Sequence, residues 1–133
     1  MSIHTDLVKI EDNKISSEKA KKFISSEKNG AESIFIGKVR NKNDGKEVVG
    51  VTYDAHDEAV IKSFRLISTD AKNKFDKNAK IFLEHVKGYV PIGEISILVA
   101  VGSEHRDEAF KICRYILEEV KHKSPIWKKE HYK

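Results

Sequence analysis

Apolar residues along the 133-residue chain recur at two spacings. Val60, Phe64, Ile67, Ala71 and Phe75 step by four, three, four and four, which draws one stripe along a helix from about Asp57 to Phe75. Ala109, Cys113, Ile116, Leu117 and Val120 draw a second stripe, on a last helix that opens near Ser103 and runs to about His122. Pro125 ends it, because the residue before a proline is pushed out of helical geometry. A shorter helix starts near Ser16–Ser17, with a serine cap, Glu18 in its first turn and Ala20, Phe23 and Ile24 on its inner face. The β-prone runs are Leu7–Ile10, Ser33–Val39, Val48–Tyr53, Lys80–Val86 and Ile95–Val101. The polar stretch Arg40–Glu47 contains Asp44-Gly45 and reads as the loop of a long antiparallel pair between Ser33–Val39 and Val48–Tyr53. Gly88-Tyr89-Val90-Pro91-Ile92-Gly93 reads as a rigid, turn-rich connector. The order β-α-β-β-α-β-β-α, rich in hairpins and poor in helices, predicts an α+β fold with a mostly antiparallel sheet. Residues 1–133 are expected to form one domain, and they show no internal repeat or linker pattern.

Composition narrows the classes. Apolar residues make up 39% and charged residues 35%, as in a soluble globular protein. Every long window is interrupted by charge, so no transmembrane segment is expected. Met1–Asp12 lacks the pattern of a signal peptide, which points to the cytoplasm. The net charge of +4 suits anionic partners but is also what a lysine-rich solvated surface gives.

The candidate chemistry is cationic rather than thiol-based. Cys113, the single cysteine, lies on the apolar stripe between Ala109 and Leu117 and reads as a buried, inert side chain. His105-Arg106 falls in the first turn of the last helix, where free N–H groups and the dipole favour anions; Arg106 pairing with Glu104 or Asp107 is the ordinary alternative. Arg40 ends a strand before a polar loop and can grip phosphate with two N–H groups. Lys121 and Lys128 bracket Pro125 and Trp127, whose stiffness can hold two ammonium groups in one cleft; Trp127 otherwise serves as a core cap. His85 sits in a strand without metal-ligand spacing and reads as structural. No phosphate-binding loop, dinucleotide fingerprint or metal-binding helix motif is present.

In order along the chain stand Gly30-Ala31, Phe35-Ile36-Gly37-Lys38-Val39-Arg40, Tyr53-Asp54-Ala55, Gly93-Glu94, His105-Arg106 with Ala109-Phe110, and Lys121 with Pro125-Ile126-Trp127-Lys128-Lys129-Glu130. From about Gly30 to Glu130 this resembles the large, catalytic subunit family of molybdopterin synthase. The resemblance implies an α/β-hammerhead fold and a homodimer that becomes a heterotetramer with a small ubiquitin-like sulfur carrier. The carrier's C-terminal Gly-Gly bears a thiocarboxylate. The implied substrate is cyclic pyranopterin monophosphate (precursor Z), which receives two sulfurs to form the dithiolene of molybdopterin. No resident cofactor or metal is implied, and neither nucleic acid nor membrane is a partner. By position, Lys121 and Lys128 match the family's catalytic lysines, Arg40 a pocket arginine, and Phe35 a pocket aromatic. His105 and Arg106 match pterin-phosphate contacts made across the dimer.

The chain departs from the family pattern at three places. His85-Val86 stands for a usual His-Arg, and Tyr53-Asp54-Ala55-His56 for a usual Tyr-Glu-Ala-Tyr. The family pattern also continues past Lys133 with a tail that covers the pocket. Two other functions are compatible with a basic α+β domain. One is a scaffold that binds a ubiquitin-like protein without chemistry. The other is an RNA-binding module, for which Phe35 and Tyr53 are the candidate stacking pair.

Overall fold

The structure is a computed structural model that describes residues 1–12 and 14–133. The described residues form β1 (Ile3–Lys9), α1 (Ser17–Ile24), β2 (Ala31–Lys38), β3 (Lys42–Asn43), β4 (Lys46–Ala55), α2 (Asp57–Phe75), β5 (Lys80–Pro91), β6 (Ile95–Ser103), α3 (Arg106–Lys123) and β7 (Ile126–Tyr132). The fold is α+β, and its sheet is mostly antiparallel: β1 against β5 is the parallel pair. Among the described residues no helix is long and apolar enough to cross a membrane.

Two apolar cores sit on opposite faces of the sheet. On one face, Val60, Phe64, Ile67 and Ala71 of α2 meet Ala109, Ile112, Cys113, Ile116 and Val120 of α3 over Ile81, Leu83, Val99 and Val101. The two stripes read from the sequence supply most of that contact. On the other face, Ala20 and Ile24 of α1 cover Phe82, Leu98 and Ala100. The Ser16 hydroxyl caps α1 by accepting from the Lys19 N–H at 3.3 Å. The Glu84 carboxylate is buried on this side, 2.7 Å from His4 Nε2 and 3.6 Å from Lys19 Nζ.

Strand β5 serves two parts of the sheet. Lys80–His85 pairs with β6, Ile81–Lys87 with β1, and Gly88–Pro91 with β4. The change of neighbour falls at Gly88, whose φ of 120° no ordinary L side chain adopts and where a Cβ would come within 2.7 Å of Ile10. The expected turn-rich connector is therefore mostly strand, and the turn itself is confined to Ile92-Gly93.

Five other readings are corrected. The first strand begins at Ile3 rather than Leu7. Helix α3 begins at Arg106, with Ser103 still in β6. The Asp44-Gly45 turn does form, with φ values of 49° and 78°, but it joins only Lys42–Asn43 to Lys46–Glu47. Strand β2 does not pair with β4; it lies along β6 from Ala31↔Ser103 to Lys38↔Ile95. Finally, Ile126–Tyr132 is a strand, β7, paired antiparallel with β4 from Ala55↔Ile126 to Val48↔Tyr132. It covers the β4 edge with backbone hydrogen bonds, and so needs no apolar face of its own.

Candidate functional site

The end of α3 and the start of β7 wall a cleft of about 380 Å³. Its floor is the cross-strand pair His85 and Ile97. Leu117, Val120 and Lys121 form the helical wall, and Ile126, Trp127 and Lys128 the strand wall, with Tyr53 and Ser96 at the margins. The turn between the walls is pinned on three sides. The Ser124 N–H donates to Val120 O at 3.2 Å, the His56 N–H donates to Pro125 O at 3.2 Å, and the Ser124 and Ser63 hydroxyls are 2.9 Å apart. The structure thus brings Lys121 and Lys128 together by a helix end, a proline and a strand that is locked onto β4 at Tyr53↔Lys128. Lys128 leans towards Glu130 at 3.9 Å, a loose contact on an exposed side chain.

Arg40 belongs to the neighbouring depression, which it shares with Lys38, Lys42, Tyr53, Lys128 and Glu130. Tyr53 and Lys128 line both hollows, so three further cations, Lys38, Arg40 and Lys42, stand in continuity with Lys121 and Lys128. Phe35 lies on β2 opposite Val99, is 42% exposed, and lines neither depression; Ile97, opposite Gly37, is the nearer element of the cleft. Trp127 is 55% exposed and lines the cleft wall, so it is no core cap.

His105 and Arg106 lie elsewhere. His105 is the residue preceding α3, with its ring 3.8 Å from the carboxylates of Glu104 and Glu108. Arg106 has no ion-pair partner among the described residues, and Asp107 binds Lys111 instead at 2.9 Å. Fifteen residues of helix separate Arg106 from Lys121, about 22 Å at 1.5 Å per residue. Within one copy the pair cannot join the cleft. The Glu104 carbonyl that precedes it accepts from the Gly30 N–H at 3.2 Å, which ties this helix end to the start of β2.

Two side chains take clearer roles in the structure than in the sequence. Cys113 is 6% exposed, its thiol 4.0 Å from Val99 O, and burial pushes its pKa up, away from the thiolate a nucleophile needs. His85, which the strand pattern marked as structural, is 8% exposed yet lines the cleft, with Tyr53 edge-on to its ring at 4.9 Å. No spacing signal could have found it, since its neighbours come from β4, β6, α3 and β7. The same Tyr53 contact removes the RNA-stacking arrangement: Tyr53 is engaged with His85, and Phe35 stands on a strand that does not pair with β4.

Residues 10–123 match the model of the family described as MoaE protein. A molybdopterin synthase catalytic subunit from Nostoc sp. is 41% identical over 104 residues, 78% of this chain and 63% of that protein. The protein of that name from Pyrococcus abyssi is 40% identical over 113 residues, 85% of this chain and 76% of its own length. The chain therefore spans a little under two-thirds of the first relative and about three-quarters of the second. Among solved structures, molybdopterin synthase from Staphylococcus aureus superposes with a TM-score of 0.87 at 28% identity, over 99% of this chain and 90% of that one. A complex of subunits 1 and 2 of molybdopterin-converting factor from Helicobacter pylori contains the same fold, with a TM-score of 0.74 at 22% identity.

Proposed function

We propose, from the premise that this chain belongs to the MoaE protein family, that it is the catalytic subunit of a molybdopterin synthase and works in the cytoplasm. Its donor is a small ubiquitin-like carrier whose C-terminal Gly-Gly ends in a thiocarboxylate. Its acceptor is cyclic pyranopterin monophosphate, to which two sulfurs are added. The observation that carries this reading is the meeting of Lys121 and Lys128 in a cleft that no thiol lines, with Cys113 sealed in the core. Sulfur has to arrive on a partner, and the cleft offers N–H donors and positive charge to a thiocarboxylate and to an oxyanion formed from it. Arg40, beside Lys128, suits the substrate phosphate.

The 22 Å between Arg106 and Lys121 favours a homodimer in which His105 and Arg106 serve the cleft of the neighbouring copy. With a carrier on each copy the assembly is a heterotetramer. Phe35 is assigned to the same shared surface, since it stands exposed on the edge strand β2. No resident cofactor is needed, because the sulfur comes from the carrier. The test is to mix the protein with thiocarboxylated carrier and cyclic pyranopterin monophosphate and to weigh the pterin product. A gain of two sulfurs supports the reading. Carrier binding with no change in the pterin would reduce the protein to a scaffold.

A further inference from the structure

The sulfur transfer just proposed leaves unused one buried titratable group in the cleft, His85. Its Nδ1 lies 2.8 Å from the Val86 carbonyl oxygen. A carbonyl only accepts, so Nδ1 carries the hydrogen and the neutral ring presents Nε2 as a bare lone pair. No described residue hydrogen-bonds to Nε2. Tyr53 packs edge-on against the ring at 4.9 Å, Ile97 lies opposite it on β6, and the charged groups sharing the cleft are Lys121 from α3 and Lys128 from β7. No carboxylate among the described residues lines it. The cleft is therefore lined by two ammonium groups and by one neutral imidazole whose Nε2 can accept a proton.

A thiocarboxylate donor creates a need for that acceptor. Once its sulfur has bonded to a pterin carbon, the carrier is held to the pterin as a thioester. Releasing it means breaking the acyl–sulfur bond. A water oxygen adds to the acyl carbon, the C–S electron pair leaves with sulfur as a pterin thiolate, and the carrier departs as a carboxylate. Water gives up two protons, one during attack and one from the new carboxylic acid to solvent, and no oxidant or reductant takes part. We propose that Nε2 of His85 takes the first of these protons. The assignment rests on the synthase reading. Burial supports it by holding the ring's pKa below the ordinary 6.5, with the bond to Val86 opposing the shift to a lesser degree. The lone pair is then free at neutral pH.

The experiment is a single-turnover reaction of the dimer with thiocarboxylated carrier and cyclic pyranopterin monophosphate, quenched and weighed intact, for wild type, His85→Gln and His85→Ala. Carrier binding and melting temperature are measured beside it. Both variants are expected to form the carrier–pterin thioester at the wild-type rate and to cleave it about a hundredfold more slowly, so that it accumulates. Imidazole added to His85→Ala is expected to restore cleavage. The wild-type cleavage rate should fall on the acid side, below pH 6.5, and this limb should vanish in the variants. Cleavage at the wild-type rate in both variants overturns the proposal. So does an equal slowing of thioester formation and cleavage, or a loss of carrier binding that imidazole does not repair, since either marks a structural residue. A wild-type protein that binds the carrier yet adds no sulfur to the pterin refutes the synthase reading itself, and the role of His85 falls with it.

Discussion

Removing the ammonium group of Lys121 or Lys128 is the sharpest perturbation of the proposed site. A unit charge 4 Å from an anion is worth about 1 kcal/mol in bulk water and about 4 kcal/mol at an effective dielectric near 20. Both lysines are exposed in the open cleft, so the first figure describes the free protein. The cleft, at about 380 Å³, falls within the range of small-ligand sites, and in the proposed complex the pterin and the carrier's Gly-Gly tail would occupy it and expel its water. The second figure then applies when the reaction occurs. Lys121→Ala and Lys128→Ala are each expected to slow single-turnover product formation roughly a hundredfold, as loss of one preorganised donor does elsewhere. Neither should unfold the protein or weaken carrier binding greatly, because neither side chain is buried and the Lys128–Glu130 contact is loose. Lys129→Ala is the internal control. It pairs opposite Thr52 on β7, and strand alternation turns it to the other face from Lys128. Rapid-quench rates measured beside carrier titrations separate chemistry from docking. Near-normal rates in both lysine variants would remove the pair from the mechanism and leave a scaffold.

Three further outcomes are expected. Cys113→Ala should keep full sulfur transfer and lose about 1 kcal/mol of stability to the small cavity left in the α3 core, read by denaturant titration; loss of transfer in the folded variant would make the thiol a relay. Stability of the wild type should fall as pH drops from 6.5 through the lower folded pKa of His85, because the unfolded chain takes a proton that the buried ring refuses; the same titration of His85→Gln should lack that component. Gly30→Ala places a Cβ 2.7 Å from the Glu104 carbonyl oxygen, so it should cost about 1–3 kcal/mol and raise KM more than it lowers kcat by shifting His105 and Arg106; unchanged kinetics would detach that helix end from substrate binding.

The helices were legible because their information is local. The α2 stripe predicts Asp57–Phe75, and the structure gives the same bounds. The strands were legible as segments but not as partners. Asp44-Gly45 signals a hairpin correctly, yet nothing near it tells that β3 stops after Asn43 and that β2 crosses to β6, some sixty residues downstream. Strand β7 was illegible for a different reason. Ile126–Tyr132 is rich in charge because it covers an edge and exposes one face, and a strand of that kind lacks the apolar run by which strands are recognised. The site shows the same division. Lys121 and Lys128 could be placed together from the proline between them, whereas His85 gains its meaning only from chain segments distant in sequence. The helix length already separated His105-Arg106 from Lys121, and the structure turns that separation into a distance.

That distance has a genetic corollary. In the proposed dimer each cleft draws its lysines from one copy and its His105-Arg106 pair from the other, so a damaged Lys121 and a damaged Arg106 are not equivalent lesions in one site. A subunit carrying Lys121→Ala still lends a sound Arg106 to its neighbour, and a subunit carrying Arg106→Ala still owns a sound lysine pair. Coexpressed, two alleles that are each dead alone would assemble mixed dimers with one intact centre, and the cell would recover part of its activity through interallelic complementation.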